Sequence, residues 1–462
     1  MLAVGFYFMR RNKDIDDYYV GGRGMSSGHI GLSVVATDVG GGFSIGLGGL
    51  GFAIGLAGSW MLFTGLIGAW LSAYFLIPKV FKLLAKHKLF TFPEIFYHLF
   101  NSRVAFLAAL VSAVGYMGFT GAQILAGAKL ATATFPTLNQ NTAVLIMGIT
   151  AVVYTVFGGL KAVIYTDTVQ WIILIAGLIF IGIPVAYFEI GGWEALQQNL
   201  DPSFLDLFNI AWVDLFNWGL TIIPIWFIGM TLYQRIYASK DEKTARKAWF
   251  LAGIFEWPIM AFMGVLLGLF ARVALQQGMF IELGYESVES IDPEMGLPLL
   301  LRSVLPAGLM GLMMSAYFSA IMSTADSCLM ASSGNILSDI IKRYFRVNEK
   351  KELRYSQWLT LVVGALSLIL ATQMTDVLDL MLLSYSFMVS GLFIPLIAAL
   401  FFKSPSAKAA WWSILFGGVT TLSLEILKMN NLISLPLDIN PNFFGISSSL
   451  LAYLLIAKLE KK

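Results

Sequence analysis

The stretch VVATDVGGGFSIG, residues 34–46, sets an aspartate and three consecutive glycines inside an otherwise apolar run. Asp38 is ionisable where a hydrophobic helix should be strongest, and Gly40, Gly41 and Gly42 weaken the helix beside it. A charged side chain at the centre of a membrane helix costs about 2.5–3.5 kcal/mol on insertion scales, so its presence signals function. Backbone that unwinds at membrane depth is tolerated where it lines a polar cavity, and its freed carbonyls can coordinate a hard cation. One other reading stands beside this: a plain kink, with Asp38 hydrogen-bonded to a neighbouring helix.

Composition places the stretch in a membrane. Hydrophobic residues make up 58% of the 462 residues, charged ones 13%, and the mean hydropathy is +0.76, far from a soluble domain. A formal charge of +2 gives no footprint for nucleic acid, and the single cysteine, Cys328, excludes a disulfide framework or a cysteine-ligated metal site. His29, His87 and His98 are scattered without metal-ligand spacing. The opening MLAVGFYFM is followed by RRNKD rather than a small-residue cleavage site, and reads as the tail of a membrane helix that begins before this chain.

With a bilayer core of about 30 Å as the ruler, twelve full spans are expected. They lie near 28–53, 57–82, 104–134, 141–158, 161–188, 211–237, 246–275, 300–335, 356–372, 376–401, 409–427 and 442–457. Every second connection is basic: RRNKD…GGR, KVFKLLAKHK, QRIYASKDEKTARK, KRYFRVNEKKELR, FFKSPSAK and the tail KLEKK. The positive-inside rule puts these, and the C-terminus, in the cytoplasm of a multi-pass cell (inner) membrane protein. The acidic connections 189–214 and 276–299 face outward, and LFTFPEIFYHLF, 90–101, reads as an amphipathic helix on the cytoplasmic surface.

Three carboxylates stand out inside the spans: Asp38, Asp167 and Asp326. In AYFSAIMSTADSCLMASSG, 316–334, Ala320, Ser323 and Thr324 fall at i, i+3 and i+4, which brings a carbonyl and two hydroxyls within reach of one ion. Asp326 and Ser327 lie beside that face. Close helix packing is the competing role for the hydroxyls, and a snorkelling or capping acid the competing role for Asp167.

These residues carry a resemblance. DDYYVGGRGM, VATDVGGG, QILAGAKL, FGGLKAVIYTDTVQ, QRIYASKD and SAIMSTADSCLMASS, in this order up to about residue 403, resemble the sodium/solute symporter family of sodium/proline, sodium/galactose, sialic acid and choline transporters. The resemblance implies an all-α membrane protein with a leucine-transporter-type core: inverted five-helix repeats over 28–188 and 211–401, with the first and sixth core helices broken. Residues 1–27 would be the remnant of a preceding helix and a loop, and 409–462 two peripheral helices and a tail.

It also implies a sodium ion on the carbonyls of Ala36 and Val39 together with Ala320, Ser323 and Thr324, the last three being those the spacing selects. Asp38 matches an acidic residue needed for sodium coupling in the proline transporter. A second cation position would use Asp167 with Asp326 and Ser327. Asp326 stands where those branches carry serine, which leaves a second ion, a local ion pair or a proton open there. The solute pocket would be lined by Gly40, Gly41, Phe43, Phe119, Gln123, Trp226 and Tyr385, although a tryptophan of the proline transporter falls on Ile222 here.

The function these features imply is sodium-coupled import of a small organic solute, amino-acid or proline-like, with a quaternary amine or a monocarboxylate as alternatives. Polar side chains for a sugar are sparse around the break. No catalytic triad, metal cluster or phosphate loop supports an enzyme. A sodium channel or a solute sensor is the reading from another class, but no repeated filter, charged ring or signalling domain is visible. Oligomeric state is left open.

Overall fold

The structure is a computed structural model that describes residues 25–38, 40–345 and 348–460, with the side chains of all but 38, 41, 157–168 and 349–351. Described residues form helices and turns, and the one β-bridge joins Met25 to Ser239. In chain order the helices are α1 Ser27–Asp38, α2 Gly40–Ile54, α3 Trp60–Leu71, α4 Ile77–Leu84, α5 Pro93–Leu99, α6 Ser102–Thr134 and α7 Gln140–Gly177. They continue as α8 Ile183–Glu189, α9 Gly192–Asn199, α10 Trp212–Ile228, α11 Met230–Ala238, α12 Glu242–Ile254 and α13 Ala261–Gln276. After them come α14 Gly296–Val304, α15 Ala307–Asn335, a single turn at Lys342–Tyr344, α16 Glu349–Ala371, α17 Val377–Phe401, α18 Ala407–Met429 and α19 Pro441–Glu460.

Local chemistry sets where these helices start. The side chains of Asn101, Asn139, Asp241 and Ser406 accept hydrogen bonds from the first-turn N–H groups of α6, α7, α12 and α18, satisfying donors that would otherwise be orphaned. Two interruptions matter more. Between α1 and α2, Gly40 takes φ +48°, the left-handed region that breaks a helix. Between α10 and α11, Gly229 has ψ 113° and the two axes diverge by 41°.

By length and hydropathy, nine helical runs among the described residues can cross a membrane, or ten if α10 and α11 form one broken span. The sequence reading has twelve, and the difference lies in how runs divide. Gly42–Leu84 is one run of 43 residues, about 65 Å at 1.5 Å per residue, twice a bilayer core. Gly55, at φ +71°, turns the chain inside it. The spans expected at 141–158 and 161–188 fall on the single helix α7 and its continuation into α8, with no stop between them. Of that stretch, 140–156 is apolar but short.

Glycine contacts bring the broken helix deep into the bundle. A Cβ on Gly268 of α13 would fall 1.8 Å from the Gly48 carbonyl oxygen, and one on Gly51 would fall 2.1 Å from that of Val265, so α2 and α13 touch backbone to backbone. On α6 and α15 the contact is polar: Ser332 Oγ donates to Ala113 O at 2.9 Å and Asn335 Nδ2 to Ser112 Oγ at 2.8 Å. Helices α18 and α19 pack on each other and on α17, pinned by Ser413 and Ser449.

Candidate functional site

Breaking α1 from α2 leaves the end of α1 beside α15, and that meeting assembles the first set of oxygens. The Thr324 hydroxyl lies 2.9 Å from Ala36 O and 3.1 Å from Ala320 O, and shares its one hydrogen between them. Ser323 Oγ donates to Ala320 O at 3.1 Å. Ala36, Ala320, Ser323 and Thr324 are therefore gathered at one place, and all are buried. Buried hydroxyls and carbonyls in a membrane helix must find partners; these satisfy one another and form a cluster of neutral hard oxygens, the donor type a sodium ion takes. Gly40 is cut to fit, since a Cβ there would sit 2.6 Å from Thr324 Oγ1. Val39, and the side chain of Asp38, lie outside the described residues.

A second group sits at the start of α2. Gly42 N donates to Gln123 Oε1 at 3.2 Å, and a Cβ on Gly42 would come within 2.6 Å of both terminal atoms of that amide. Around it Phe119 stacks on Tyr385, centroids 4.9 Å apart at 13°, and Tyr385 meets Phe43 at 6.3 Å. Phe43, Phe119, Gln123 and Tyr385 thus come together from α2, α6 and α17, while Gly40, at the start of α2, faces Thr324. Gly41 is described in its backbone alone. Trp226 stands elsewhere: its ring packs on Gly68 of α3 and meets Trp249 of α12 edge-on at 6.2 Å.

The remaining candidates are Asp326, Ser327 and Asp167. Asp326, fully buried, accepts a hydrogen bond from Thr155 of α7 through Oδ1. Ser327 accepts instead from Arg235 Nη2 at 2.9 Å. The Asp167 side chain lies outside the described residues.

Arg235 is the residue sequence reasoning missed. It is 0% exposed, on α11 just past the Gly229 break. Its guanidinium donates to Thr37 Oγ1 at 2.6 Å, Ser33 Oγ at 3.3 Å, Thr231 O at 3.3 Å and Ser327. One cation so binds α1, α11 and α15 together, which suits the planar, many-donor guanidinium. The signal was present in QRIYASKD, read there as part of a basic connection. Glu256 was missed as well, though it lies inside the expected span 246–275: it is fully buried against Gly65, whose Cβ would fall 1.7 Å from Glu256 Oε2. Below Arg235 the aromatic pair Phe92–Tyr233, centroids 4.8 Å apart, and the bond from Tyr237 OH to Thr91 O at 3.1 Å join α11 to the segment before α5.

Comparison with known proteins identifies the family and the fold. The chain is 27% identical to the high-affinity proline transporter of Bacillus subtilis over 439 residues, covering 91% of this chain and 89% of that protein. It is 27% identical to the sodium/pantothenate symporter of Escherichia coli over 473 residues, covering 98% and 93%. A substrate-bound, outward-open Na+-coupled sialic acid symporter superposes with a TM-score of 0.79 over 99% of this chain and 95% of that one, at 22% identity, which shows the shared fold. Mhp1, a nucleobase-cation-symport-1 family transporter, superposes at 0.57 over 96% and 94%, at 13% identity. The family model described as "Sodium:solute symporter family" matches residues 18–417, so the chain belongs to the sodium:solute symporter family and is a multi-pass, sodium-dependent solute transporter rather than an enzyme.

Proposed function

We propose that this protein imports a small organic solute bearing a carboxylate, an amino acid of proline type before others, together with sodium and by alternating access. The observation that carries the reading is the contact of Thr324 with Ala36 across the helix break. Sodium would be held by the carbonyls of Ala36 and Val39 with Ala320, Ser323 and Thr324, the oxygens turning from each other to the ion. Two unrelated stretches of chain supply this set, so the ion binds well in arrangements that keep α1 and α15 together.

The solute would lie at the start of α2, between the Gln123 amide and the Phe43, Phe119 and Tyr385 rings. Amides at a helix N-terminus favour an anionic group, which supports an amino acid or monocarboxylate over a quaternary amine. Relatives named for proline and pantothenate fit a carboxylate-bearing solute. Arg235 donates to Ser327 Oγ and so occupies an oxygen of the suggested second cation position, which supports one sodium ion per cycle, with Asp38 tuning coupling and Asp326 bonded to Thr155.

The twelve spans and the repeats over 28–188 and 211–401 belong to the same proposal. Their support is the paired breaks at Gly40 and Gly229 and the length of Gly42–Leu84. The basic connections support a cytoplasmic C-terminus for a protein of the inner membrane. Uptake into proteoliposomes of labelled proline, choline and a monocarboxylate, each with and without an inward sodium gradient, tests the reading. Concentrative, gradient-dependent uptake of proline is expected; equilibrating flux that ignores the gradient would replace the carrier with a channel.

A further inference from the structure

A polar cluster outside the proposed transport site ties the segment before α5 to the far end of α15. Asp339 lies in the turn Ile336–Ile341 that continues α15, and it is 0% exposed. Its Oδ2 accepts from Thr91 Oγ1 at 2.7 Å, across 248 positions of chain. Glu94, in the first turn of α5, folds back on the same threonine: its Oε2 accepts from Phe90 N at 2.7 Å and from Thr91 N at 3.4 Å. Two carboxylates therefore meet on Thr91, one from each side of the contact. Tyr237 of α11 donates to Thr91 O at 3.1 Å and Phe92 packs on Tyr233, so α11 is held at the same place.

The cations that act on the two carboxylates are Arg343 and Lys342. Arg343 Nη2 stands 3.4 Å from Asp339 Oδ1, with its guanidinium over the Tyr97 ring at 3.9 Å. Lys342 is already paired with Glu352 of α16, which is 4% exposed. Three carboxylates thus share two cations. Lys88 lies over the Phe90 ring at 5.3 Å instead. His98 of α5 stacks on His87 with centroids 3.9 Å apart. Burial, then His87 and Arg343, holds the His98 imidazole below its ordinary range, so it adds positive charge only in more acid solution. Burial lifts the Glu94 carboxyl above its ordinary range, against the pull of two backbone N–H groups, Arg343 and Lys342. Like charges that share a site ionise together at a cost, and the proton that relieves it belongs to the pair.

We propose that Glu94 and Asp339 form a pH-sensitive dock: one shared proton holds segment 90–99 against α11 and the end of α15, and its loss as the pH rises releases that segment. Glu94 is partly exposed, so the proton exchanges with water. The docked arrangement binds one more proton than the released one, so docking weakens with rising pH, by up to about tenfold per pH unit. Ser323 and Thr324 stand on the same helix as this end of α15. The reading that cytoplasmic pH is the signal rests on the topology proposed above; the test needs neither sodium nor solute, so the two can fail separately.

The test is maleimide labelling of the full chain in sodium-free detergent, in a Cys328→Ala background. Phe96→Cys places a thiol on α5 at a position that is 0% exposed. Its rate at pH 6.5, 7.5 and 8.5 is divided by that of the same chain unfolded at each pH, which removes the titration of the thiol itself. The normalised rate is expected to rise about tenfold over this range. Glu94→Gln and Asp339→Asn keep an acceptor oxygen and remove one charge, so the rise is expected to flatten in both. Should Asp339→Asn fail to fold, the partly exposed Glu94→Gln decides. A remote reporter, Met381→Cys, is buried on α17 beside Gln123 and is expected to stay constant. A flat profile at Phe96→Cys overturns the dock, and so does an undiminished rise in Glu94→Gln or an equal rise at Met381→Cys, which marks a loosened fold. If the pH response appears while the parent shows no sodium-driven uptake, the dock stands and the transport reading falls.

Discussion

Thr324 and Ala36 lie 288 positions apart in the chain and 2.9 Å apart in space, the hydroxyl of one on the carbonyl of the other. That contact joins the helix that is broken to the helix that is rich in hydroxyls, and the proposed sodium site follows from it. Thr324→Ala removes one oxygen ligand and the bond across the break while leaving a residue that a membrane helix accepts. The sodium concentration for half-maximal uptake is expected to rise about tenfold or more, an effect of the size of one strong polar contact, with expression and thermal stability close to the parent. Ser323→Ala, whose hydroxyl bonds only within its own helix, is expected to shift the same quantity. Sodium titration of uptake by purified, reconstituted variants decides it, and an unchanged midpoint in both variants removes the site.

Gly40 and Gly42 give a steric prediction. Gly40→Ala must hold a Cβ at φ +48° and 2.6 Å from Thr324 Oγ1, so it is expected to cost about 1–3 kcal/mol and to impair sodium binding. Gly42→Ala drives its Cβ into the Gln123 amide and is expected to weaken solute binding more than sodium binding. Thermal unfolding with and without each ligand separates the two. Equal losses for both ligands in both variants would contradict the division of the break into an ion half and a solute half.

Gln123 and Trp226 should behave differently although both are buried. Gln123→Ala removes the side chain on Gly42 N, and solute affinity is expected to fall about tenfold with little loss of stability. Trp226→Phe loosens the packing on Gly68 and Trp249, and is expected to lower the unfolding temperature while the solute affinity of the folded fraction is kept. Calorimetry on folded, monodisperse protein measures both quantities. A solute-specific defect in Trp226→Phe would return that residue to the pocket.

Arg235 ties α1, α11 and α15 together through hydrogen bonds to Ser33, Thr37, Thr231 and Ser327. Arg235→Ala strips a buried charged network and is expected to cost about 3–5 kcal/mol, enough to lose most folded protein. Arg235→Lys keeps the charge but cannot span Ser33, Thr37 and Ser327 at once, so folded protein with reduced transport is expected. Full transport in Arg235→Lys would show that charge alone suffices at this position.

Sodium and solute must be linked reciprocally if the proposed cycle is right, since each favours the arrangement that completes the other's site. Solute affinity in detergent is expected to rise with sodium and not with potassium, whose larger radius suits a small oxygen site poorly. Isothermal titration in matched sodium and potassium chloride measures it. Equal affinities would end the symport mechanism and leave the fold untouched.

What the sequence determined by itself was set by local, additive quantities. Hydropathy over windows of about twenty residues fixed the membrane class, and Gly40–Gly42 beside Asp38 marked the first break. The i, i+3, i+4 spacing of Ala320, Ser323 and Thr324 marked one wall of the proposed ion site, and the ordered motifs identified the family. Only the tertiary structure decided which buried polar groups meet. Arg235 read as part of a basic connection until packing placed it among Ser33, Thr37 and Ser327. Lys129 and Glu294 read as unrelated residues until the connection before α14 folded onto α6 and α17. Trp226 was expected in the pocket, and only packing shows its contacts with Gly68 and Trp249. The physical reason is that hydropathy and helical period are properties of a segment, whereas the partner that satisfies a buried donor, acceptor or charge is chosen by which helix packs beside it.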